Sequence, residues 1–132
     1  MGSIFTKIIN KELPCYKIHE DEYTLSFLSI HPIQIGHTLV IPKIEIDHFL
    51  DTPEPYYTQI FTNAKFIGKA IQTATNSPRI ATSIQGWEVP HCHYHLIPSW
   101  GPKDSEFKYA KERTEQEMKE IQQKIISELK LP

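Results

Sequence analysis

The chain has 132 residues, 39% apolar and 23% charged, with a net charge of −2 and a pI of about 6.4. That length suits one domain with a real core, and the balance of charge lacks the basic field that long nucleic acid recruits. Two distant cysteines, Cys15 and Cys92, make no disulfide framework, and no window approaches the roughly 18 apolar residues of a membrane span, so the chain reads as cytoplasmic with no membrane role.

In chain order, Ile4, Phe5, Ile8 and Ile9 fall at helical spacing and stop before Leu13-Pro14, which predicts a short helix lying as a lid on the core. Tyr16 to Glu22 alternates and meets the acidic turn Glu20-Asp21-Glu22, and Tyr23 to Ile30 resumes β character, so the pair reads as a hairpin. His31-Pro32 breaks the second strand. Gly36-His37-Thr38-Leu39-Val40-Ile41-Pro42 then opens a third strand, apolar enough to be central in a sheet, with the loop 31–36 as a candidate pocket wall.

Ile60, Ala64, Ile67, Ile71 and Ala74 share one helical face behind Pro53 and Pro55, predicting a long central helix between Thr52 and Thr75. Arg79 to Ile84 reads as a fourth strand. Beyond Gly101-Pro102 the composition becomes highly charged, and Met118, Ile121, Ile125 and Leu129 form a stripe that predicts an amphipathic C-terminal helix over about 108–130. No repeat or linker divides the chain, so a single α+β domain is expected, with its core over about 4–100.

Between the fourth strand and the charged tail lies His91-Cys92-His93-Tyr94-His95-Leu96-Ile97. Three histidines spaced two apart in a β-type run project from one face, about 7 Å between neighbours and about 13 Å end to end. They can line a phosphate-sized pocket. All three cannot ligate one metal, although two can, and His-x-His with a distant His37 or His48 is the zinc-dependent alternative. His19, His31 and His48 read as surface or structural residues, and Cys92 as a small core residue.

The run resembles the signature of the histidine-triad family, three histidines alternating with apolar residues. Segments in matching order extend the likeness: Ile4 to Ile9 with Leu13-Pro14, Phe27 to Ile30, Gly36 to Lys43, and Gly86-Trp87-Glu88-Val89-Pro90 before the triad. The resemblance implies an α+β fold with a five-stranded antiparallel sheet, a homodimer, and a hydrolase or transferase acting at the α-phosphate of nucleoside phosphoramidates, dinucleoside polyphosphates or other nucleotidyl conjugates. It also implies that His93 is the nucleophile and forms a nucleotidyl-histidine that water hydrolyses, a role suited to a neutral imidazole. His95 would contact the phosphate and leaving group, while His91 and His37 hold the pocket by hydrogen bonds.

By the same resemblance, Ile4, Phe5, Ile8, Phe27 and Ile30 would sandwich a purine, and Ser29, Ser83, Gly86, Glu88 and Val89 would complete the nucleotide site. Ser29 stands where many members carry a ribose-binding acid, Trp87-Glu88 where many have Gln-(Ser/Thr), and Ser3-Ile4-Phe5-Thr6 where some bacterial members carry a zinc-binding Cys-x-x-Cys. These departures admit a second expectation, a nucleotide-binding protein with little or no turnover. No structural metal and no required cofactor are expected, with Mg²⁺ allowed beside a polyphosphate substrate.

Overall fold

The computed structural model describes residues 2–132. Ser3 caps α1 (Ile4–Ile9): its Oγ accepts the Thr6 N–H at 3.1 Å, which satisfies one of the donors left free in a first helical turn. The hairpin of β1 (Lys17–Glu20) and β2 (Thr24–Leu28) is organised by Asp21, whose carboxylate accepts the Tyr23 and Thr24 N–H groups at 3.0 and 2.8 Å. Gly36, at φ +106°, turns the chain into β3 (Thr38–Pro42); a Cβ there would meet the Thr75 side chain at 3.0 Å. The predicted long helix is α2 (Tyr56–Thr75), closed by Asn76 in the left-handed conformation.

Two edge-to-centre additions complete the sheet. β4 (Arg79–Ser83) pairs with β5 (Tyr94–Ser99), and β5 pairs with β3, giving the antiparallel order β1-β2-β3-β5-β4. As its apolar run implied, β3 is central and buried along its whole length. Alternation divides the strands between two cores. Leu28, Val40 and Leu96 face α2, while Leu25, Phe27, Leu39 and Ile41 face α1 through Phe5. α3 (Glu115–Glu128) docks beside α2, burying Met118, Ile121 and Ile125, each contributing about 2 kcal/mol by removal from water.

Two expected elements have different bounds. The C-terminal helix begins at Glu115, not near 108, because Thr114 and Glu117 form a capping box there. Residues 102–109 instead form two short 3₁₀ turns. The histidine strand begins at Tyr94, not at 91: the Cys92 N–H bonds to the Ile46 carbonyl and the His91 N–H to the Val89 carbonyl, so this backbone is spent on a turn. His91 and His93 therefore sit before the strand, and of the expected row of three imidazoles on one strand only His95 lies within it, with His93 just ahead of its first residue.

Candidate active site

His95 stands opposite Leu39 on the α1 face of the sheet, and its ring centroid lies 4.9 Å from that of His93. Phe5 of α1 lies edge-on to the His93 and His91 rings, with centroids 5.2 and 5.8 Å away, so α1 does act as a lid, but over the histidines as well as the core. A cavity of about 1010 Å³ opens here. Of the residues expected at the site, Ile4, Phe5, Ile8, Phe27, Ser29, Ile30, His37, Glu88, Val89, His93 and His95 line it. Ile4 and Ile30 are 46% and 58% exposed, apolar side chains left open to solvent at its wall.

The ring partners fix where each imidazole carries its proton, because a carbonyl only accepts and a backbone N–H only donates. His91 Nε2 faces the Pro42 carbonyl at 3.0 Å and therefore donates, leaving Nδ1 to accept from the Ser3 hydroxyl at 2.8 Å. His93 Nδ1 faces the His91 carbonyl at 2.7 Å and donates to it, so its Nε2 keeps a bare lone pair. His37 Nδ1 accepts the Ile33 N–H at 3.1 Å; its Nε2 then donates to His95 Nδ1 at 2.9 Å, which leaves the remaining ring proton of His95 on Nε2. The two Nε2 atoms of His93 and His95 are thus the ring positions without a protein partner among the described residues, and that of His95 carries a proton.

Burial holds His37, His91 and His95 toward the neutral form. Desolvation, aided by the neighbouring His95 and His93, pulls His37 down to about 3, and desolvation with His93 pulls His95 down to about 4. His91 is also lowered, chiefly by burial, although the Pro42 carbonyl and Glu45 favour its charged form.

Four contributors escaped the sequence reading: Glu45, Ser3, Thr6 and Phe107. Glu45 accepts from the Ser3 N–H and, at 2.6 Å, from the Thr6 hydroxyl, so Ser3 and Thr6 tie the start of α1 to both Glu45 and His91. Only the opening Ser-x-x-Thr signalled this. Phe107 stacks edge-on to His95 at 5.0 Å and, with Ala110 and Glu115, closes one wall of the cavity. Its signal was a lone aromatic in a charged tail.

Other expected residues lie elsewhere. His91 is fully buried behind the cavity and does not line it. Ser83 pairs with His95 across β4 and β5 but lines a smaller neighbouring cavity, and Gly86 lines neither. Trp87 is 88% exposed and outside the cavity, whereas Glu88 lines it. His48 caps a 3₁₀ turn through the Leu50 N–H, away from the triad.

A family model described as HIT domain matches residues 10–101. The chain belongs to the HIT domain family. Among relatives of this HIT protein, an uncharacterized HIT-like protein of Borreliella burgdorferi is 40% identical over 102 residues, 72% of this chain and 73% of that one. An adenosine 5′-monophosphoramidase of Saccharomyces cerevisiae is 39% identical over 72% of this chain, a match that spans 61% of the yeast protein. A crystal structure of a HIT-like protein from Bartonella henselae superposes with a TM-score of 0.84 over 96% of both chains at 27% identity. The α+β architecture read from the sequence is thus the family's fold.

Proposed function

We propose that this HIT protein cleaves nucleotidyl conjugates at the α-phosphorus through a covalent intermediate on His93. The observation that carries the reading is the 2.7 Å bond from His93 Nδ1 to the His91 carbonyl, which leaves Nε2 as the ring nitrogen that can serve as nucleophile at the cavity wall. Nε2 forms a bond to phosphorus, the bond from phosphorus to the leaving group breaks, and its electron pair departs with that group. His95 Nε2–H donates to a phosphoryl oxygen and stabilises the charge that builds there. Water then attacks the phosphorus, the P–N bond breaks, its electrons return to Nε2, and the water proton passes to solvent.

The apolar wall supports a purine nucleotide as the bound portion: Phe5 and Phe27 are large, largely buried contacts, and Ile4 and Ile30 are exposed apolar surface that a base would cover. Ser29 offers the ribose one hydroxyl. A homodimer is supported by β4, an edge strand with nothing paired to its outer side, and by the groove where α2 meets it around Phe61, Gly68 and Ile80. A zinc-dependent reaction is less favoured, because both His91 nitrogens and His93 Nδ1 already have partners, and no group of three or more metal ligands assembles among the described residues. The reaction needs no cofactor; Mg²⁺ beside a polyphosphate would serve the substrate. Among the described residues, no helix is long and apolar enough to cross a membrane.

The test is incubation with adenosine 5′-phosphoramidate and with diadenosine polyphosphates, following AMP release and trapping the adduct by mass spectrometry. AMP release and an AMP adduct on His93, both absent in His93→Ala, are expected. AMP binding without release would identify instead a nucleotide-binding protein, in which the Glu88 carboxylate repels the charged substrate.

A further inference from the structure

The turns between Pro102 and Tyr109 lie over the histidine face of β4 and β5, and Phe107 divides the space beneath them. On one side is the cavity with His93 and His95. On the other is a chamber of about 400 Å³ lined by Ser83, Gln85, Glu106 and Lys108, among others, and Phe107 is the residue the two linings share. Ser83 is the cross-strand partner of His95, so the two side chains stand beside each other on one face.

Two observations bear on what the chamber could hold. The Ser83 hydroxyl is buried and has no hydrogen-bond partner among the described residues, a costly state that an occupant would relieve. The remaining groups are mostly donors: the Lys108 ammonium and the Gln85 amide, against one carboxylate, Glu106, which Lys108 already holds at 3.4 Å. Resting on the nucleotidyl-transfer reading above, we propose that the chamber beyond Phe107 is the leaving-group subsite and takes a sulfate or phosphate oxyanion through Ser83, Gln85 and Lys108. Lys108 exchanges Glu106 for the incoming anion.

The chemistry of departure agrees. When Nε2 of His93 bonds to the α-phosphorus of an anhydride, the bridging oxygen leaves with the bond's electron pair as a stable anion and needs no proton. An amine leaving group must first take one. His95, with its second protonation held down to about 4, carries no spare proton near neutral pH.

The experiment compares three substrates that share the adenylyl group: adenosine 5′-phosphosulfate, diadenosine triphosphate and adenosine 5′-phosphoramidate, which release sulfate, ADP and ammonia. In Lys108→Ala, kcat/KM for the two anhydrides relative to the phosphoramidate should fall about tenfold, the effect of losing one hydrogen bond to a charged group. Ser83→Ala should lower the same ratio by a few-fold. Whichever anhydride loses more is the occupant the chamber fits. Turnover of all three with ratios unchanged to within about twofold would overturn the subsite and leave the His93 reaction standing. Turnover of none would overturn both.

Discussion

The two faces of the central sheet are both buried and are put to opposite uses. On the α2 face, Leu28, Val40 and Leu96 meet Ile67, Ile71 and Ile125 in one apolar cluster that carries no histidine. On the α1 face, the same strands present Phe27, Leu39 and His95, and here a cavity remains, with His37, His93 and His95 on its wall. Alternation along a strand delivers both sets at once, so adjacent residues such as His95 and Leu96 answer to different physics. One face holds the fold together and the other leaves room for a ligand.

The sharpest break in this comparison is His93→Ala, expected to lower AMP release by about 10³-fold or more while thermal stability stays within a few degrees. His37→Leu comes next. It removes the donor that fixes the His95 tautomer and strands the Ile33 N–H, so a drop in kcat of about 10²-fold is expected, measured beside an unchanged affinity for AMP. The opposite pattern is expected on the other face: Ile125→Ala should cost about 3 kcal/mol in a denaturant titration, with kcat preserved in the folded fraction.

Acid should also separate the faces. His37 and His95 have folded pKa values near 3 and 4, below the usual 6.5, so between about pH 6.5 and pH 4 the unfolded chain binds protons that the folded chain does not. Their contribution to stability is complete above pH 6.5 and is lost as pH falls toward 4. Stability measured across this window should decline, and less steeply in His95→Asn; an equal slope in both proteins would refute the assignment. The smallest effects concern helix caps. Ser3→Ala and Thr114→Ala should each cost about 1 kcal/mol, but only Ser3→Ala, which also removes the partner of His91 Nδ1, should lower kcat as well.

Much of this division was legible in the sequence. The alternation in β2, the unbroken apolar run of β3 and the 60, 64, 67, 71 spacing of α2 are local patterns, and local patterns survive folding when tertiary contacts agree with them. The shared face of His93 and His95 was legible for the same reason, whereas His37 entered the site only through the family resemblance. His91 was misplaced because its departure from the strand depends on Ile46, whose carbonyl takes the N–H of Cys92 across a chain separation that no periodicity encodes. The link from Ser3 and Thr6 to Glu45 is similarly remote. Residues 108–114 read as part of a helix because the charged composition runs on without a break, whereas Thr114 and the docking of Phe107 on His95 set the boundary.

The bond from His93 to the His91 carbonyl has an entropic meaning too. A free histidine side chain samples several rotamers, and a nucleophile that must be frozen at each encounter loses rate to that search. His93 is oriented by a carbonyl whose own residue is anchored to Pro42 at the end of β3, so its ordering is completed once, when the sheet forms. In the proposed reaction, each later substrate meets a lone pair already aimed.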